Sequence, residues 1–314
     1  MTTLAMSSYS VREHLGPVEF NFTDPEGETR SFAFPYESLT TLAEFPARAK
    51  DEFGVDQIET VAFQFRGGLA DPEISAFAEA LTASGVRLLN VAIDTGDLLE
   101  QDDDKRAADV AELKDWIARF ADMGSRFVRV NPGSPFSPHH GEQPPAHLVA
   151  ALVELGEYAA SLGSRLLVEN HGGPSSDPDW MLGLLDAVGS EHLGLLLDLG
   201  NFDALMQPMM ALMFQPPEAE AIDPVALLEN VDLTSVYAGI ERLAPRAELV
   251  HVKAHDVDDS GAVRPIDLER AIGILLSHGF DGPLTVEYEG TGGDPWAKSA
   301  RVLDVARQAA DVQA

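Results

Sequence analysis

Cysteine is absent from this 314-residue chain, which excludes disulfides, thiolate metal ligands and cysteine nucleophiles. No apolar stretch approaches the length of a membrane helix. The N-terminus, Met-Thr-Thr-Leu-Ala-Met-Ser-Ser-Tyr-Ser, has no basic segment followed by a long apolar run. A cytoplasmic protein without a membrane partner is expected. Positive charge is scarce: 21 Lys and Arg stand against 52 Asp and Glu, a net charge of −31. That field repels a polyanion unless a local basic patch overrides it, and no Lys/Arg cluster occurs. Nucleic acid is therefore not expected as a partner. Also missing is a Gly-x-Gly-x-x-Gly turn after a strand, the mark of an open dinucleotide-binding sheet. No glycine-rich phosphate cradle, low-complexity region or evident linker interrupts the chain.

What the chain does contain is regular alternation. Eight short aliphatic or β-branched runs occur at 3–6, 58–63, 87–93, 126–130, 165–168, 193–197, 248–252 and 284–286, separated by helix-length segments. Apolar runs without strict alternation suit strands covered on both faces, as in a parallel sheet. Between them, Val110, Leu113, Ile117 and Phe120 form one face of a helix over 108–124, with Gly124 as its stop. Leu268, Ala271, Ile272, Leu275 and Leu276 repeat the pattern between Asp267 and Gly279, and Asp177-Pro178 opens a further helix. Trp116 and Trp180 fall on these helices and read as packing. Eight strand–helix units predict α/β architecture, specifically one closed (β/α)₈ TIM barrel over 1–314, which needs roughly 250 residues. Two stretches exceed a minimal barrel. Residues 16–36 read as an inserted hairpin, and the methionine-rich 202–222 as an insertion that serves either as adaptable packing, the commoner use of such segments, or as a substrate lid after the sixth strand.

Catalytic groups in such barrels sit at the C-terminal strand ends. Those positions carry Asn131, then Glu169-Asn170-His171, Asp198-Leu199-Gly200-Asn201, His251-Val252-Lys253 and Glu287-Tyr288-Glu289. Side chains alternate across a strand, so Glu169 and His171 share a face, as do His251 and Lys253, and Glu287 and Glu289. Singly, each acidic residue is an ordinary strand-end carboxylate and His251 an ordinary core histidine. Together, three carboxylates without a cation would repel one another. Glu169, Asp198, His251 and Glu287 make a hard, oxygen-rich set suited to Mg²⁺, Mn²⁺ or Co²⁺, with Zn²⁺ also accommodated. Arg129 and Asn131 are candidate substrate contacts, and Lys253 and His171 are candidate catalytic groups. His139-His140 reads as an exposed pair in a Pro/Ser/Gly-rich loop.

The segments Leu-Leu-Val-Glu169-Asn-His-Gly-Gly, Leu-Leu-Asp198-Leu-Gly-Asn-Phe, Val-His251-Val-Lys-Ala and Thr-Val-Glu287-Tyr-Glu-Gly resemble the xylose isomerase-like TIM-barrel superfamily. That superfamily includes sugar isomerases and epimerases, inosose dehydratases and the endonuclease IV group. The resemblance implies one divalent metal on Glu169, Asp198, His251 and Glu287, a sugar or polyol-derived substrate, and association into dimers or tetramers. It further implies that Glu169 and Glu287 flank the reacting carbons as acid and base. By the same resemblance Asn201 occupies a substrate-contact position and the two glutamates a catalytic one; Asn201 is a departure there, because many of the epimerases carry histidine. The expected reaction is isomerisation or epimerisation through an enediolate. Dehydration on the same site is the alternative; an AP endonuclease and a non-catalytic sugar-binding protein are distant ones.

Overall fold

The computed structural model describes residues 3–23, 29–134, 143–213, 224–228 and 231–312. Eight parallel strands close into a barrel: β1 (Leu4–Ser7), β2 (Gln57–Val61), β3 (Arg87–Ile93), β4 (Phe127–Val130), β5 (Arg165–Glu169), β6 (Gly194–Asp198), β7 (Ala247–Ala254) and β8 (Leu284–Tyr288). Each pairs with its neighbours in chain order, and β1 seals the ring between β8 and β2. These are the eight runs expected from sequence, with slightly shifted ends.

Alternation along the strands sorts side chains into two environments. Outward residues such as Met6, Ile58, Val128, Val168, Leu197, Val250, Val252 and Val286 pack under the surrounding helices. Helix Asp103–Asp122 presents Val110, Leu113, Trp116, Ile117 and Phe120 to that jacket, with Trp116 and Phe120 stacked at 5.6 Å. It begins before the apolar pattern does, because the Asp102 side chain accepts from the Asp104 and Lys105 amides and supplies the missing first-turn acceptor. Asp177 and Asp267 cap their helices as expected. Gly124 and Gly279 take left-handed φ values of 79° and 81° just beyond helix ends.

Inward residues form a separate apolar floor of Ala5, Leu89, Phe127, Leu167, Leu196 and Leu249. Above it the interior turns polar, with Glu59, Arg129, Glu169, Asp198, His251, Thr285 and Glu287 all buried. A register shift lets the layers coexist: Ile58 pairs with Leu88 but Glu59 pairs with Asn90, so Leu89 is an extra residue. The bulge turns both Leu89 and Asn90 toward the interior. Truncating Leu167, fully buried in the floor, to alanine should lower unfolding free energy by about 2–5 kcal/mol in a urea titration. A loss under about 1 kcal/mol would mean the floor is loosely packed.

The insertion at 16–36 contains an antiparallel hairpin of Val18–Thr23 and Thr29–Phe34, with Val18 opposite Phe34; its tip, 24–28, lies outside the described residues. Of the insertion at 202–222 expected as a lid, Asp203–Met213 forms a helix, and the remainder, 214–222, lies outside the described residues, as do His139 and His140. No helix among the described residues is long and apolar enough to cross a membrane.

Candidate active site

Strand register brings the four candidate ligands together. Asp198 is the register partner of His251, and Lys253 that of Glu287. Glu169 ends the strand beside Asp198, with Leu196 as its partner. His251 Nδ1 consequently faces Glu169 Oε1 at 3.6 Å, Asp198 Oδ2 at 3.6 Å and Glu287 Oε2 at 3.3 Å. One ligand atom from each of Glu169, Asp198 and His251 lies within 4.8 Å of the others. Nδ1 has no hydrogen-bond partner of good geometry. A buried ring nitrogen left open toward three carboxylate oxygens fits a divalent cation, and oxygen plus imidazole donors fit Mg²⁺, Mn²⁺, Co²⁺ or Zn²⁺.

Two buried cations flank this cluster. Lys253 Nζ lies 3.0 Å from Asp198 Oδ2, 3.2 Å from Glu287 Oε2 and 3.0 Å from Glu289 Oε1, and donates to Asn201 Oδ1 at 3.1 Å. Arg129 Nε lies 2.8 Å from Glu169 Oε2, while its Nη1 donates to Asn131 Oδ1 at 2.8 Å and to Asp94. Asn131 itself donates to Asp94 at 2.8 Å. Asn201 Nδ2 donates to Glu169 Oε1 at 3.1 Å. Asn201 therefore ties the Glu169 side of the cluster to the Lys253 side.

The protonation states follow from this packing. Burial alone would raise the pKa of Glu169, but the Arg129 and His171 charges and the His251 ring outweigh it and hold the carboxyl well below its usual range. Glu287 is likewise held low against burial, chiefly by His251 and Lys253. Asp198 is pushed up by burial, with Lys253 opposing and the neighbouring glutamates adding to the rise. His251 and Lys253 resist burial and are raised by the carboxylates, so both favour the charged form. Protons and Lys253 serve as counterions to the carboxylates, and a divalent cation held at Nδ1 would take the place of a proton.

Of the sequence-derived candidates, Glu169, Asp198, His251, Glu287, Lys253, Asn201, Arg129 and Asn131 meet in one network. His171 joins it through no hydrogen bond and acts on Glu169 by charge alone. Its backbone amide donates to Ser175 Oγ at 2.8 Å, and its ring Nδ1 has no hydrogen-bond partner. Sequence reasoning overlooked Glu59, whose Oε2 lies 3.0 Å from His251 Nε2, and Asp94, partner of Arg129. Both had a signal: Glu59 is an acid inside an apolar strand, and Asp94 directly follows one. Arg12 was also missed. It donates to the carbonyls of Tyr288, Glu289 and Gly290 at 2.9, 2.6 and 3.1 Å, securing the loop that carries Glu289.

His255, on the loop after β7, is held down to a pKa of about 4 by burial, with Glu289 opposing and Lys253 and Arg12 reinforcing. Its ordinary value is 6.5. The folded state therefore binds less proton than the unfolded chain between these values. The contribution is neutral above pH 6.5 and becomes destabilising as pH falls toward 4. At about 1.4 kcal/mol per pH unit, it reaches about 3 kcal/mol. Urea titrations from pH 7 to 4 should show this loss, and His255→Asn should flatten it; an unchanged slope would rule His255 out as its source.

A parallel eight-stranded barrel with a buried carboxylate–imidazole cluster at its strand ends defines a metal-capable (β/α)₈ protein. The chain belongs to the xylose isomerase-like TIM-barrel family, whose model matches residues 46–306. No curated protein matches it significantly. Among solved structures it is similar to an L-ribulose 3-epimerase, with a TM-score of 0.63 at 19% identity over 99% of this chain and 98% of the other. D-psicose 3-epimerase with D-tagatose from Clostridium cellulolyticum H10 gives a TM-score of 0.62 at 12% identity, covering 99% and 98%. The IolI protein with a bound zinc atom gives 0.62 at 15%, covering 99% and 98%. At these identities the likeness establishes a shared fold.

Proposed function

We propose that this protein is a divalent-metal-dependent sugar isomerase or epimerase that abstracts a proton next to a carbonyl. The observation that carries the reading is His251 Nδ1, buried and unpartnered, facing carboxylate oxygens of Glu169, Asp198 and Glu287 at 3.3–3.6 Å. A cation on these four residues would polarise the substrate carbonyl and offset the negative charge of an enediolate. Sugar epimerases and a zinc-binding protein among the structural neighbours support both halves of the reading.

The chain's own groups divide the remaining work. One of Glu169 and Glu287 takes the proton from carbon, and the other returns one, to the neighbouring carbon for isomerisation or to the opposite face for epimerisation. Arg129 holds Glu169 Oε2 at 2.8 Å, and Asn201 holds Oε1 at 3.1 Å, so this carboxylate meets substrate in a set orientation. Arg129 Nη1 donates to Asp94 and Asn131, and Nε faces Glu169 Oε2 as an ion pair at 2.8 Å, which favours positioning over direct substrate contact; Asn131, bonded to both Arg129 and Asp94, shares that role, and His171 is the candidate hydroxyl contact on that side. Lys253, charged and buried, supplies a donor for a developing oxyanion. The same ammonium supports a second reading: a β-hydroxyl leaving the enediolate would take a proton from Lys253 and depart as water, making the enzyme a lyase.

Incubating the Mn²⁺-loaded protein with neutral ketoses and inososes in D₂O tests both. Deuterium entering the carbon next to the carbonyl, with epimer or isomer exchange by NMR, is the expected result. Enone absorbance without exchange would move the assignment to the lyase, and no deuterium in any substrate would sink the proton-abstraction reading.

A further inference from the structure

Beneath the candidate ligands lies a buried carboxylate that the chemistry above does not use. Glu59 on β2 reaches across the barrel interior to His251 on β7, and the two strands are not neighbours in the ring. Its Oε2 lies 3.0 Å from His251 Nε2 and accepts from Asn90 Nδ2 at 2.7 Å. Its Oε1 accepts the Thr285 hydroxyl. Glu59 is 2% exposed, and Asn90 and Thr285 are fully buried. Both Glu59 oxygens already accept from buried donors, so toward the ring Glu59 stands as an acceptor, and Nε2 at 3.0 Å is placed to donate to it.

We infer that Glu59 is a positioning residue that fixes the His251 ring with its proton on Nε2, leaving the Nδ1 lone pair for a metal. The inference deepens the metal reading and rests on it. Asn90 and Thr285 complete the device. By bonding one oxygen each of Glu59 they keep it from swinging upward as a competing ligand. Asn90 is available only because the Leu89 bulge turns it inward. A carboxylate behind a ligating imidazole also raises the ring's basicity, and losing such a partner costs metal affinity on the order of 10–100-fold.

The test is a Zn²⁺ titration of the metal-free full-length chain, comparing wild type with Glu59→Leu and Glu59→Gln. Glu59→Leu should weaken binding by about 10–100-fold. Glu59→Gln should recover much of that loss, because its amide oxygen still accepts from Nε2 and the Thr285 hydroxyl can turn to accept the amide. In ¹⁵N spectra of the Zn²⁺-loaded wild type, the His251 ring, assigned by its absence in His251→Gln, should carry its proton on Nε2. That spectrum decides the matter even if Glu59→Leu does not fold. A proton on Nδ1, or tight wild-type binding matched to within about twofold by Glu59→Leu, overturns the inference alone. No Zn²⁺ binding by wild type overturns the metal reading with it.

Discussion

Glu287→Gln should lower turnover by on the order of 10²–10⁴-fold on whichever ketose proves to be the substrate. The amide keeps the shape of the carboxylate but loses the basic oxygen that proton transfer requires. In the protein, Glu287 Oε2 sits 3.3 Å from His251 Nδ1 and 3.2 Å from Lys253 Nζ, with Oε1 3.5 Å from the Ser7 hydroxyl. Those contacts set its position within the cluster. Glu287→Asp retains the charge but withdraws it by one methylene, so it should fall between wild type and the amide. Glu169→Gln should be impaired comparably if the two glutamates share the proton traffic. The decisive measurement is solvent deuterium incorporation at saturating Mn²⁺, which reports proton abstraction even when net turnover is slow. Wild-type exchange in Glu287→Gln would remove Glu287 from the chemistry and leave it only a ligand.

Arg129→Met should cost the metal-free protein about 3–5 kcal/mol, the usual consequence of leaving a buried ion pair half-dismantled. Methionine approximates the length of the arginine stem, so packing loss is small and the effect is electrostatic. Glu169, 1% exposed, loses the Nε contact at 2.8 Å and is left among Asp198 and Glu287. Asp94 loses its bond from Nη1. Arg129→Lys should rescue only partly, since an ammonium cannot meet Glu169, Asp94 and Asn131 with the planar guanidinium fork. Adding Glu169→Gln to Arg129→Met should return part of the loss, because the amide no longer needs the cation. Urea denaturation of the four proteins gives the coupling. A single-variant loss below about 1 kcal/mol would mean that solvent or protons already neutralise Glu169.

Much of this molecule was legible before folding. The eight barrel strands follow from eight short apolar runs, since strands buried on both faces leave a local, continuous signature. Glu169, Asp198, His251 and Glu287 stand out because polar residues at the ends of such runs have few structural reasons to be there. The start of helix Asp103–Asp122 was less legible. Its first turn is held by a side-chain cap, with no apolar face yet present.

Sequence by itself determined the alternation of strands and helices, the shared face of residues two apart at the ends of β5, β7 and β8, and the four strand-end groups, because these depend on periods of two and 3.6 residues along one chain. Tertiary structure alone decided what those groups touch. Glu59 meets His251 from a strand 192 positions away, Arg12 secures a loop 276 to 278 positions away, and a bulge at Leu89 aims Asn90 inward. Such contacts arise from closure of the ring and from one-residue shifts in register, which act across the barrel and leave no period in the chain.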